Sequence, residues 1–238
     1  RLAAFDSGVA HNVIPREAQA LFHCEPGREP ELRELLRRLR EEWSAYLPAA
    51  DRQLEMVLEP GEPADTLGEA DSGLLLDIIA AFPHGPQAYS LEQPADLVDL
   101  SINLAVLRLA RGALFLESSF RFFSDEQSRP LQQAVLALAR AFALEVTPAA
   151  GYPGWEPDFD SPLLAQGIAL HRRLFGEEPA VKAIHAGLEC GILKGKVPDV
   201  DILSFGPTIR GAHSPGERLK IDTVPPFWQL LTALLAEM

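Results

Sequence analysis

The chain of 238 residues carries 34 acidic against 21 basic side chains, a net charge of −13, and 47% of its residues are apolar. That length is enough for one large or two small domains with a real core, and the apolar share is that of an ordinary globular protein. The acidity argues against a nucleic-acid partner, because phosphate binding needs a basic surface, and no apolar run reaches the roughly 18–20 residues of a membrane span.

In chain order, Ala18 to His23 reads as extended. Pro30 sits where a first helical turn tolerates it. Leu32, Leu35, Leu36, Leu39, Trp43 and Leu47 follow at helical spacing, which predicts an amphipathic helix over about 30–47. The charges of this helix alternate in sign and mark a solvated face rather than a basic patch. Leu54 to Leu58 is a candidate strand, Gly61 to Gly68 a Pro/Gly loop, and Asp71 or Ser72 caps a helix running to about Phe82. Leu97–Leu109 and Ala113–Phe123 form a hairpin through Arg111-Gly112. Pro130 opens a helix through Phe142, and Leu144 to Thr147 returns as a strand. The β-α-β sense of the first 59 residues is thus echoed by β-β-α-β at 97–147, and two similar α+β layers are expected.

The segment Ala149 to Pro162, rich in Pro, Gly and aromatic residues, places a domain crossing there. Ser161 and Pro162 start a helix to Phe175 that Gly176 ends. Ala180–Ile184 and Val200–Phe205 are apolar enough for buried strands. Thr223, Pro225 and Pro226 start a last helix with Phe227, Leu230, Leu231, Leu234 and Leu235 as its apolar set. This helix–strand alternation is that of one edge of a larger α/β sheet.

The stretch from His185 to Glu217 is the most informative. Two glycine-bearing loops flank the Val200–Phe205 strand, and each carries a His and a Glu. Loops at strand ends are where metal ligands and substrate contacts are presented. A neutral imidazole at His213 suits zinc, with Pro215 stiffening its loop and Glu217 placed to orient the ring. The alternative is a plain surface-loop His. Gly187, two residues before Glu189, permits close backbone approach to a ligand. Glu189 also reads as a solvated helix-start carboxylate favoured by the helix dipole. A Cys190 nucleophile with His185 as base is the weaker reading, because buried free Cys is common and no oxyanion motif accompanies it. His185 serves equally as packing or ligand, and His11, His23, His84 and His171 receive no role. Cys24 and Cys190 lie far apart without paired spacing, as free thiols of a reducing compartment do; the cytoplasm is the expected location.

Taken together, His185-Ala-Gly-Leu-Glu-Cys-Gly191, Ser204-Phe-Gly-Pro-Thr-Ile209 and His213-Ser-Pro-Gly-Glu217 resemble the carboxy-terminal part of the aminoacyl-histidine (Xaa-His, carnosinase-type) dipeptidases, in the clan of dinuclear-zinc aminopeptidases and carboxypeptidases. Asn12-Val-Ile-Pro-Arg-Glu-Ala18, Leu100-Ser-Ile-Asn-Leu104 and Gly151-Tyr-Pro-Gly-Trp-Glu-Pro157 extend the resemblance over nearly the full length. Gly216 departs from the family, which usually has Asp there. The resemblance implies a two-layer α/β lid domain over 1–148, followed by the carboxy-terminal part of an α/β zinc-peptidase catalytic domain over 149–238, an α+β / α/β architecture overall. It implies hydrolysis of dipeptides, Xaa-His above all, at a site holding two zincs or other divalent metals in their place. His213 would be the last metal ligand. Gly187 and Glu189 would line the substrate pocket, and Asn12 and Arg121 would clamp the substrate's carboxyl terminus as the lid closes. Arg offers a planar, permanent charge for a carboxylate; the alternatives are a strand-surface Arg in an ion pair and a turn Asn before Ile14-Pro15.

The family's other ligands, its catalytic Glu and a lid His belong to an upstream half, so no catalytic residue is assigned in this chain. The opening Arg1-Leu2 reads as the start of a fragment inside the lid, expected to be inactive alone; no basic, small-residue-terminated signal opens the chain, although a fragment could have lost one. Two other readings stand beside the dipeptidase: a non-catalytic lid-like dimerisation or peptide-binding module, and an acylase or carboxypeptidase of the same clan. A small dipeptide is the expected partner, without nucleic acid or membrane, and a homodimer is left open.

Overall fold

The structure is a computed structural model that describes every residue except 50, 92–96, 150, 152, 157, 183–188 and 213–215. Its strands and helices mix as an α+β protein. The strands are β1 (Leu2–Ser7), β2 (Ala18–Phe22), β3 (Gly85–Tyr89), β4 (Val98–Ala110), β5 (Ala113–Phe122), β6 (Ile209–Arg210) and β7 (Arg218–Leu219). The helices are α1 (Glu29–Tyr46), α2 (Glu69–Ala81), α3 (Asp125–Ala141), α4 (Pro162–Phe175), α5 (Glu189–Lys196) and α6 (Val224–Ala236). The larger sheet has the order β2-β1-β4-β3, with β5 also paired to β4. Among the described residues no helix is long and apolar enough to cross a membrane.

The chain divides into two compact units. The first comprises Arg1–Gly85, Ile102–Ser119 and Val135–Glu145, and the second Pro86–Ser101, Phe120–Ala134 and Val146–Met238. In the first unit β1 pairs antiparallel with β2, Phe5 opposite Ala20, and with β4, Phe5 opposite Leu109. The centre of β4 is buried at three successive residues, Ala105, Val106 and Leu107. Successive strand side chains point to opposite faces, so both faces of β4 are covered here. Leu2, Leu75 and Leu109 form the centre of an apolar cluster, with Phe5, Phe22, Leu67 and Leu114 packed around it. The hairpin turn between β4 and β5 holds Arg111 at φ 53° and Gly112 at φ 75°. Two left-handed residues in a two-residue loop match the right-handed twist of the flanking strands.

In the second unit α4 has both its ends fixed by local chemistry. Leu164 N–H donates to Ser161 Oγ at 3.0 Å. The Ser161 hydroxyl in turn donates to Asp201 Oδ1 at 2.6 Å, and Leu163 N–H donates to Asp201 Oδ2 at 2.9 Å. One carboxylate from far along the chain thus satisfies the helix start together with its N-cap serine. At the other end Gly176 is left-handed, φ 76°, and its N–H donates to Arg172 O. Three glycines set close packing. An added Cβ on Gly154 would strike the carbonyl oxygens of Phe122 and Phe123, one on Gly191 would strike those of Pro153 and Gly154, and one on Gly167 would meet the Leu203 side chain.

The two helix ends read at Ser161 and Gly176, the hairpin and the final helix agree with the sequence reading; the helix ending near Phe82 also forms, but it starts at Glu69 after an N-cap at Gly68, so Asp71 and Ser72 lie inside it rather than capping it. Among the described residues, three expected strands do not form and a fourth is not seen in its described part. Leu54–Leu58 alternates half-buried and exposed residues as an extended segment would, but belongs to no strand. Leu144–Thr147 is irregular, with Leu144 N–H bonded to Ala139 O at the helix end. Val200–Phe205 is irregular as well, and so is the described part of 180–184, whose last two residues lie outside the described set. A strand needs a hydrogen-bonded neighbour, and apolar content cannot supply one. The echo between the chain's parts is therefore β-β-α in both cases: β1-β2-α1 and β4-β5-α3. α3 begins at Asp125 rather than Pro130, because Ser124 Oγ accepts from Gln127 N–H and Asp125 and Glu126 acidify the first turn, leaving Pro130 inside the helix.

Ser161→Ala should cost about 0.5–2 kcal/mol, read as a lower denaturation midpoint. The hydrogen bonds from Ser161 and Leu163 hold the Asp201 carboxyl below its ordinary range. A carboxylate with a depressed folded-state value stabilises the fold above its unfolded pKa of about 3.9 and loses that effect as pH falls through the folded value. The stability gap between wild type and Asp201→Asn should therefore be full at neutral pH and close on acidification. Gly154→Ala and Gly191→Ala should each destabilise the fold by about 1–3 kcal/mol, as overpacking does, while a half-buried glycine with open space around its Cβ position, such as Gly73, should accept Ala without that loss.

Candidate functional site

Asn12 lies on an exposed turn between β1 and β2. Its two neighbours are held from far along the chain. Asn103 Nδ2 donates to Val13 O at 2.9 Å and to His11 O at 3.3 Å. Ser119 Oγ donates to the same His11 O at 2.6 Å. Two motifs read separately in the sequence, Asn12-Val-Ile-Pro15 and Leu100-Ser-Ile-Asn-Leu104, are one structure here.

A second juxtaposition lies in the other compact unit. Arg121 is the penultimate residue of β5 and is exposed. The carbonyls of Phe122 and Phe123 directly beyond it bear on Gly154, and those of Pro153 and Gly154 bear on Gly191 of α5. Only residues without a Cβ allow such backbone approach. Pro153 and Gly154 are therefore wedged between the end of β5 and α5. Glu189 is the first residue of α5 and exposed, where the helix dipole favours its charge. Beside this wedge is a cavity of about 420 Å³. Trp155, Phe159, Ile168, Leu203 and Phe205 give it apolar walls, and Lys182 and Lys194 contribute charge. Lys194 Nζ also donates to Val200 O at 2.8 Å, which fixes α5 to the extended segment after it. An apolar space with a few polar groups is the usual form of a small-molecule site.

Cys190 is half-buried, and burial pushes its thiol above the ordinary value, with the neighbouring Glu189 carboxylate acting in the same direction. A raised thiol carries little thiolate at neutral pH, which weighs against a Cys190 nucleophile. His213 and Gly187, together with His185, lie outside the described residues. What frames the His213 motif is described: β6 pairs with β7, Ile209 opposite Leu219, and Lys220 N–H donates to Thr208 O at 2.9 Å. Thr208 N–H also donates to Thr223 Oγ1 at 2.9 Å, which ties this short hairpin to the start of α6. Glu217 is exposed at the base of the hairpin. Among the described residues no three His, Cys, Asp or Glu side chains stand together as a metal site would require. The sequence reading missed the anchoring roles of Asn103 and Ser119 and the contact of Gly154 with Gly191. The motifs containing Asn103, Gly154 and Gly191 were visible, but not their meeting in space.

No protein-family model matches the chain. The cytosol non-specific dipeptidase of Escherichia coli (strain K12) is 30% identical over 239 residues, an alignment that covers 100% of this chain and 49% of that protein. The crystal structure of aminoacylhistidine dipeptidase from Vibrio alginolyticus superposes with a TM-score of 0.84 at 30% identity, again over 100% of this chain and 49% of the other. The chain thus spans about half the length of the relatives it matches. In sequence and in fold it is a homologue of the aminoacylhistidine and cytosol non-specific dipeptidases, and it corresponds to about half of one.

Proposed function

We propose that this chain is part of a zinc-dependent cytoplasmic dipeptidase with a preference for Xaa-His substrates. The observation that carries the proposal is the match to two dipeptidases over the whole chain, in sequence and in fold. Residues 1–148 act as the lid and 149–238 as the carboxy-terminal segment of the catalytic domain. The last change between compact units, between Glu145 and Val146, lies close to that boundary.

A dipeptidase must read a free carboxyl terminus close to the scissile bond. Arg121 provides the planar cation for it, and Asn12 provides an amide donor on a fixed turn. Glu189 receives the substrate's amino group, and Gly187 offers main-chain contacts. His213 contributes one imidazole to the metal site. Among the described residues no cluster of His, Cys, Asp or Glu could hold a zinc, and one His falls short of the three or four protein ligands a zinc holds, so the remaining ligands and the catalytic base are expected from other parts of the intact enzyme. Zinc, when bound, polarises the scissile carbonyl and supplies hydroxide at neutral pH. The residues here bind and orient the dipeptide around that chemistry.

In the intact enzyme, His213→Ala should abolish hydrolysis and lower the zinc content measured by metal analysis; normal turnover at full occupancy would remove His213 from the site. Arg121→Ala should reduce kcat/KM for dipeptides about tenfold or more, since a charge-assisted hydrogen bond contributes about 1.5–3 kcal/mol. Amidated dipeptides should lose little further rate in that variant. Equal discrimination between free and amidated substrates in wild type and variant would make Arg121 a structural residue. Equilibrium dialysis of this chain alone should find fewer than two tightly bound zincs per molecule.

A further inference from the structure

The turn that carries Asn12 is held more firmly than an exposed loop requires. Both carbonyls flanking Asn12 accept hydrogen bonds from the sheet: His11 O from Ser119 and Asn103, and Val13 O from Asn103. Within the turn Val13 N–H donates to Ala10 O at 3.1 Å. Just upstream, Gly8 is left-handed, φ 78°, and its α-carbon lies so close to the Ala105 carbonyl that a Cβ would collide with it. Ala105 is fully buried in the doubly covered part of β4. The turn is therefore fixed to the buried strand β4 at Gly8, His11 and Val13, and to β5 at His11, while Asn12 itself is exposed at its tip.

Asn103 has a second telling property. Its Oδ1 is buried and accepts no hydrogen bond from a described residue, although buried acceptors are normally satisfied. The amide cannot be reversed to relieve this, because Oδ1 would then face the two carbonyl oxygens that Nδ2 now serves. The side chain leaves one atom unsatisfied and uses its donors on the Asn12 turn. An aliphatic residue would fill the position without that loss but would leave Val13 O without its donor and His11 O with Ser119 alone.

We propose that Asn103, assisted by Ser119, is a positioning residue that sets the orientation in which Asn12 meets the substrate carboxylate. This rests on the assignment of Asn12 to substrate binding. Preorganising a binding group removes the ordering cost that would otherwise fall on substrate capture. Asn103 touches no substrate and acts through Asn12.

The test is a double-mutant cycle in the intact dipeptidase with Asn12→Ala, Asn103→Ala and the pair, read as the ratio of kcat/KM for a dipeptide to that for its C-terminal amide. Hydrogen exchange over residues 8–15 is measured in parallel on this chain. Asn103→Ala should lower the ratio about three- to tenfold, mainly through KM, and add little on top of Asn12→Ala, as coupled residues do. Exchange in the turn should speed up at the same time. Asn103→Asp, equal in size but presenting an acceptor to the two carbonyls, should be at least as damaging at neutral pH. Ser119→Ala removes one of the two donors to His11 O; it should give a smaller change in the same direction and serves if the Asn103 variants do not fold. If Asn12→Ala leaves the ratio unchanged, the assignment of Asn12 fails and the proposal with it. If Asn12→Ala lowers the ratio but the Asn103 effect is absent or multiplies independently with it, only the positioning role is overturned. Unchanged exchange in the turn of Asn103→Ala would also overturn it.

Discussion

The first compact unit depends on the double burial of β4. Ala105 has no solvent exposure, and Ile102, Val106, Leu107 and Leu109 are almost as deeply enclosed. A strand covered on both faces cannot shift by a residue, since a shift would exchange its two apolar faces for whatever adjoins them. That immobility is passed on to its partners. β1 pairs beside it at Phe5–Ser7, and β5 is joined to it by the two-residue turn at Arg111 and Gly112. The Asn12 turn is held by Asn103 and Ala105 of the same strand and by Ser119 of β5.

The second unit is organised differently. Its decisive contacts are backbone against backbone, at Gly154 and Gly191, where carbonyl oxygens occupy the space a side chain would need. Such contacts specify a path for the chain with little apolar area. They hold the Trp155 segment against α5, while the Asp201 carboxylate holds the start of α4. Both arrangements join stretches that the sequence separates, and both border the 420 Å³ cavity.

Legibility followed the range of the interaction. The start of α4 at Ser161-Pro162 and its end at Gly176 were readable because caps are chemistry within one helical turn. The Arg111-Gly112 turn was readable for the same reason. The strands expected at Leu54–Leu58, Leu144–Thr147 and Val200–Phe205 were not formed, because pairing depends on a partner that composition does not reveal. Pro130 misplaced the start of α3, since Ser124 and the acidic residues after it began the helix earlier. For the candidate site, the motifs identified the residues but not the mechanics. Asn103 was seen in Leu100-Ser-Ile-Asn-Leu104, yet nothing in that string announces bonds to carbonyls 90 and 92 residues away.

The Arg111-Gly112 turn carries one more consequence. Side chains alternate across a strand, so the face on which Arg121 emerges is counted from that turn. A three-residue loop at the same place, with the ladder otherwise kept, would turn every side chain of β5 to the opposite face. Arg121 would exchange faces with its neighbours, although no residue near it had changed. The length of a distant surface turn thus sets the face on which Arg121 emerges. Variation among descendants of this gene should tolerate substitution at Arg111 far more readily than insertion or deletion beside it.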